Sequence, residues 1–148
     1  SIIIFDLEGE IFFGAAPDVD RYLDDLKERA LGSDIRSIVL RVKRVRNPDI
    51  VCLERFEHFF HETKRLGITV LLGGVRPELA RSFTKIGLRE WFPEDRLFLE
   101  KEEDDTDSDT LKAVRHAYEL LGDDANTCKH CESIQRHEAR KASLYYLV

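Results

Sequence analysis

Ser37-Ile-Val-Leu-Arg-Val-Lys-Arg-Val45, then Arg46-Asn47-Pro48-Asp49, then Ile50 to Leu66, reads as a strand, a short polar turn and a long amphipathic helix. Ile38, Leu40 and Val42 alternate with Val39, Arg41 and Lys43, the period of two that puts neighbouring side chains on opposite faces of a sheet. Val51, Leu53, Phe56, Phe59 and Phe60 then recur at helical spacing and form the stripe to be buried. Asn47 is placed to cap this helix, Pro48 fits its first position, and Gly67 ends it. A strand feeding a helix through a four-residue turn is half of a βαβ unit, so the fold depends on whether the pattern repeats.

It does. Upstream, Ile2–Leu7 and Glu10–Phe13 are two strand-like runs around Glu8-Gly9. Ala16–Ala30 reads as a helix with Val19, Tyr22, Leu23 and Leu26 inward, Pro17 in its first turn and Gly32 at its exit. Downstream, Ile68–Val75 is a mostly apolar strand, as expected for a sheet interior. Pro77 opens a third helix with Leu79, Phe83 and Ile86 inward and Gly87 at its end. Arg96–Glu100 is a short edge strand. Thr110–Leu121 is a fourth helix, capped by Asp109, ended by Gly122, with Leu111, Val114, Tyr118 and Leu121 as its apolar stripe. Alternating strands and helices of these lengths predict an α/β domain with right-handed crossovers. The charged faces of the first two strands imply that helices cover only one side fully. The domain is expected over residues 1–122, with 123–148 a weakly ordered C-terminal tail.

At 148 residues the chain is long enough for one domain with a proper core. Its longest apolar runs are far too short to cross a bilayer, and no leader is visible. The net charge of −6 argues against nucleic acid as a partner. Much of that charge sits in EKEEDDTDSD, residues 100–109, a solvated linker or loop by composition. Three cysteines, an odd number, argue against a secreted disulfide framework. The chain has no methionine, even at position 1, as expected of a segment of a longer protein; removal of an initiator before Ser1 is the alternative.

Three further stretches carry a family resemblance. Leu7-Glu-Gly-Glu-Ile-Phe-Phe-Gly-Ala15 looks like the opening strands of transporter STAS domains. Arg65-Leu-Gly-Ile-Thr-Val-Leu-Leu-Gly-Gly-Val-Arg-Pro77 looks like the family's third-strand region, and Phe83-Thr-Lys-Ile-Gly-Leu88 like its helix-end motif. In this order and spacing, over Ile2 to Leu121, the chain resembles a STAS domain. That module is shared by anti-sigma factor antagonists and by the cytoplasmic tails of SulP-type (sulfate-permease-like) anion transporters. The resemblance implies an α/β, STAS-like mixed sheet with helices mainly on one face. It also implies a regulatory, non-catalytic docking role on the cytoplasmic side of the cell membrane. The implied partners are the transmembrane domain of the same transporter, other protomers or a cytosolic protein, with no direct membrane insertion by this segment. Family members that switch by phosphorylation carry Asp-x-Ser/Thr-Gly at the central turn. Here Arg46, Asn47, Pro48 and Asp49 stand there, and proline has no hydroxyl to accept a phosphate. This points away from the alternative of a free-standing anti-sigma factor antagonist-like regulator.

The candidate site residues follow from the same turn. Helix N-termini favour anions through exposed amides and the helix dipole. Arg44, Arg46, Asn47 and Asp49, with Arg41, Lys43 and Arg55 beside them, are therefore candidates for binding a partner, a nucleotide or another anion. The ordinary alternative is a capped helix with surface arginines. Cys128-Lys-His-Cys131 is a lone C-x-x-C; Cys128 and Cys131 with His130 or His137 have the ligand types for zinc, or a small thiol protein would use the pair for redox work. Reduced, exposed thiols are the simpler reading. Cys52 falls near the start of the helix stripe and reads as a small apolar residue. His58 and His61 read as a solvated helix face. No nucleophile set or sequestered pair of carboxylates stands out, so no catalytic residue is assigned.

Overall fold

The computed structural model describes residues 2–10, 16–46, 48–100 and 109–122. Its elements are β1 (Ile2–Glu10), α1 (Ala16–Gly32), β2 (Ser37–Arg46), α2 (Ile50–Arg65), β3 (Thr69–Val75), α3 (Pro77–Lys85), two short 3-10 turns at Leu88–Glu90 and Glu94–Arg96, β4 (Leu97–Leu99) and α4 (Asp109–Leu121). The four strands lie side by side in chain order and all run parallel. Glu8-Gly9 is not a turn but part of β1. The rest of the expected second run, residues 11–13, lies outside the described residues, as do most of the acidic segment and the whole of 123–148.

Right-handed crossovers along a sheet built in chain order carry every crossover helix to the same face. That is where α1, α2 and α3 are. Val19, Leu23, Leu26 and Ala30 of α1, Cys52, Leu53, Phe56, Phe59 and Phe60 of α2, and Leu79 and Phe83 of α3 pack on Ile38, Leu40, Val42, Val70, Leu72 and Val75. The aromatic centre is Phe60, whose ring centroid lies 5.3 Å from Phe92, 5.9 Å from Phe59, 6.1 Å from Phe56 and 6.3 Å from Phe83. The α1 seam runs through Val19, Leu23, Leu26 and Ala30, which leaves Tyr22 at the edge of the stripe and exposed rather than inward. Thr63 is also buried; its hydroxyl donates to the Phe59 and Phe60 carbonyls and so needs no partner outside the helix.

Among the described residues, the opposite face carries only α4. Ala113, Val114 and Ala117 cover Val39 and Leu71, with Ile2, Phe98 and Tyr118 packed around them. The seam differs from the expected one. Leu111 and Leu121 are half-buried, and the two alanines, four apart, make the contact. The helix lies so close that a Cβ on Gly73 would sit 3.3 Å from the Thr110 Cα, and only small side chains fit such an approach.

Both central strands bulge at the same level. Between Arg41 and Arg44, β2 has one residue more than β1 has between Asp6 and Glu8. Between Leu72 and Val75, β3 has one more than β4 has between Leu97 and Leu99. An extra residue resets the alternation. Val42 and Val45 therefore both face the main core, as do Leu72 and Val75. Gly73-Gly74 is this bulge within β3. Gly74 has φ +69°, and a Cβ there would come 2.9 Å from the Lys43 Cβ, so both the backbone and the neighbouring strand require glycine.

Candidate functional site

In an open parallel sheet, ligands and partners are met at the carboxyl ends of the strands. Here that edge holds Arg46 at the end of β2, the turn into α2, and Glu100 after β4. The cap of α2 is Asp49, not Asn47, which lies outside the described residues; Pro48 precedes the cap and is not the first helical residue. Asp49 is extended (φ −84°, ψ 170°), and its carboxylate accepts from the Cys52 N–H at 2.9 Å. An aspartate caps as well as an asparagine, and starting the helix at Ile50 keeps Leu53, Phe56 and Phe60 on the core. The chemical consequence matters more. The α2 N-terminus already has an anion of its own, on one of the amides that a bound phosphate would use.

Just behind the cap, Cys52 is fully buried. Burial first, then the hydrogen bond with Asp49, pushes its thiol up to about 11. It is neutral at physiological pH and serves as core, as its position in the stripe suggested. Ile50, by contrast, is 59% exposed, the most exposed large apolar side chain among the described residues.

The candidate cations bring their own counter-ions. Arg41 is paired with Asp6 across β1 and β2 at 3.0 Å. Lys43 reaches Glu100 at 3.0 Å, and the other oxygen of that carboxylate takes the Arg76 Nε at 3.2 Å, so Glu100 ties the ends of β2, β3 and β4 together. Arg55 is on α2, 3.2 Å from Asp20 of α1. Arg44 stands exposed at the β2 bulge and also has an interaction partner. Arg41 and Lys43 thus lie on or beside the α4 side of the sheet, Arg44 at the bulge, and Arg55 on the helix layer opposite. The candidate cations are therefore spread over both sides of the carboxyl edge, three of them paired with an acid, and do not converge on one anion.

The carboxylates Asp6, Asp20 and Glu100 were missed in the sequence because their roles depend on strand register. Asp6 lies directly opposite Arg41, and nothing short of the pairing reveals it. His58 is exposed with Glu62 at 3.6 Å, but His61 is more than a solvated residue. Its ring stacks on Trp91 at 3.8 Å, and the Lys64 ammonium lies 5.6 Å from the same indole. Among the described residues no group of three or more His, Cys, Asp or Glu side chains is arranged to hold a metal. Cys128, His130, Cys131 and His137 lie outside those residues. Among the described residues no helix is long and apolar enough to cross a membrane.

The fold is similar to that of two solved structures. One is a sulfate transporter family protein from Wolinella succinogenes, with a TM-score of 0.61 and 24% identity, covering 81% of this chain and 87% of that one. The other is the SulP transporter STAS domain from Vibrio cholerae, with a TM-score of 0.56 and 20% identity, covering 81% and 84%. At these identities the likeness is one of fold. No curated protein matches the chain. The sequence itself matches the STAS domain over residues 1–104, from β1 through the edge strand, and the chain therefore belongs to the STAS-domain family.

Proposed function

We propose that the chain is the regulatory STAS domain of a SulP-like anion transporter and works by docking, without catalysis, at the cytoplasmic side of the membrane. The observation that carries this reading is the central turn of a STAS fold without its phosphoacceptor. Arg46-Asn-Pro-Asp49 offers no hydroxyl, and the α2 N-terminus behind it is closed by Asp49. The fold shared with a SulP transporter STAS domain supports the parentage. Under this reading the membrane portion is a separate segment of the parent protein, and α4, packed on Val39 and Leu71, belongs to the same domain as the sheet.

The docking surface is the carboxyl edge of the sheet: Arg41, Lys43 and Arg44 on β2, the turn from Arg46 to Asp49, and Ile50 and Arg55 at the start of α2. Its partner is the transporter's own membrane domain, another protomer or a cytosolic protein. Nucleotide binding at the same edge is the second reading, and Asp49 on the helix amides disfavours it.

The test uses the full-length protein. Arg44→Glu with Arg46→Glu should leave folding nearly intact, since Arg44 is exposed and exposed charges contribute little stability. It should impair transport or partner binding; Ile50→Asp should do the same by removing the exposed apolar side chain of that edge. Normal transport and binding in both variants, at normal expression, would sink the assignment. An anti-sigma-type serine kinase should leave residues 37–66 unmodified. Ser37 and Thr63, the hydroxyl residues of that stretch, are both buried.

A further inference from the structure

Helix α4 is held to its face of the sheet by little apolar surface. Its buried contribution is two alanines and one valine, and the stabilisation from burial scales with area. A polar contact at one side of the helix therefore carries weight. The His116 ring, 24% exposed and 6.0 Å from the Phe98 ring, has a carboxylate at each nitrogen. Its Nε2 lies 3.2 Å from the Asp95 Oδ2, in the turn that leads into β4, and its Nδ1 lies 3.0 Å from the Glu119 Oε2 on α4. A neutral imidazole has one N–H, so it donates to one carboxylate and turns a lone pair on the other. Only the imidazolium donates to both.

We propose that α4 is a proton-held latch, in which charged His116 clamps the helix to the 94–96 turn through Asp95, and the neutral ring, uncharged and left with one N–H to share between Asp95 and Glu119, holds α4 less firmly on Val39 and Leu71. Release would uncover these two residues beside Ile2 and Ile4, making a continuous apolar strip across β1, β2 and β3, since Ile4, Val39 and Leu71 are in register. The other charged groups on the packed elements are Glu94 (paired with Arg89), Asp95 and Arg96 in the turn, Asp109, Lys112, Arg115 and Glu119 on α4, and Arg41 and Lys43 on β2, paired with Asp6 and Glu100. Glu119 first and then Asp95 raise the histidine's pKa, with partial burial opposing them. The sign follows. With the folded value above the ordinary one of about 6.5, the latch is fully closed below that value and opens as pH rises through the raised one. The window is the neutral range, where histidine is the usual switch. The inference rests on the packing of α4 and not on the transporter reading, so either can fail alone.

The test is amide exchange and histidine NMR on the whole chain from acidic to mildly alkaline pH. After correction for intrinsic exchange, protection of α4 amides should fall several-fold as His116 titrates, while β2 and β3 amides hold. Asp95→Asn, at an exposed position, should lower the His116 pKa and flatten the pH dependence of α4 protection. His116→Gln should abolish that dependence. If α4 protection does not follow the His116 titration, or follows it equally in Asp95→Asn, the latch is refuted.

Discussion

The two faces of this sheet are covered by different means. On one face three helices bring large side chains, with Phe56, Phe60 and Phe83 almost wholly buried against aliphatic strand residues. On the other, among the described residues, one helix touches the sheet through alanines and a valine, beside Ile2, Ile4 and Phe98, and the strands carry the ion-paired Arg41 and Lys43. The first face has the interlocked volume that fixes a unique native state. The second has a thin apolar seam whose attachment depends on close approach and a charged clamp. The first face is built not to yield and the second to yield more readily.

The sharpest way to break the comparison is to empty the first face. Phe60→Ala removes the ring that contacts Phe56, Phe59, Phe83 and Phe92, and should cost about 3–5 kcal/mol of global stability in denaturant unfolding. A loss comparable to that of a surface substitution would mean the two faces are packed alike.

Overfilling the second face should act locally. Ala117→Leu adds volume where Ala117 has no exposed surface, and overpacking typically costs about 1–3 kcal/mol. Because the seam is thin, the damage should appear as lost protection in α4 with β2 and β3 amides protected as before. Global unfolding in step with α4 would show that the helix is part of the rigid core.

The bulge between the faces offers a third probe. Gly74→Ala forces a side chain onto φ +69° and into the Lys43 Cβ, and should cost about 1–2 kcal/mol from the left-handed backbone alone. Gly32→Ala, where nothing lies within 4 Å and φ is ordinary, is the matched control and should be close to neutral.

The difference between the faces also explains what could be read from the chain. Periods of two and of 3.6 report burial under large side chains, so β2, α2, β3 and α3 and their core residues were readable. They fail where burial is by small residues. The Ala113 and Ala117 contacts of the α4 seam are invisible to a scan for large apolar positions, which found Val114 and Tyr118 but added the half-buried Leu111 and Leu121. They fail again where one extra residue resets the alternation, as at Val42-Lys43 and Gly73-Gly74. The candidate site was readable as a location, because a polar turn between strand and helix falls at the carboxyl edge of any parallel sheet. Its charge state was not. Arg41, Lys43 and Arg55 are each neutralised by an acid distant in sequence, and only register and helix packing bring Asp6, Glu100 and Asp20 to them.

The smallest effect is also the one that separates the faces by pH. Lys27 of α1 reaches Glu62 of α2 at 2.6 Å, an ion pair within the first face's helix layer, with both side chains less than a third exposed. The hydrogen bond to Lys27 holds the Glu62 carboxyl below its ordinary value, and the hydrogen bond to Glu62 holds the Lys27 ammonium above its own. The glutamate's contribution is therefore complete above the ordinary carboxylate range and lost as pH falls through the depressed value. The lysine's is complete below the ordinary ammonium range and lost as pH rises through the raised one. Between those limits the Lys27–Glu62 pair itself is constant and gives no response to pH near neutrality. Lys27→Met keeps the stem and removes the charge; it should cost no more than about 1 kcal/mol, spread across the neutral range without a step. Any step near neutral pH in stability or amide exchange should survive this substitution and vanish with His116→Gln. A neutral-range step that disappears in Lys27→Met would place the pH sensitivity on the packed face and undo the division between the two.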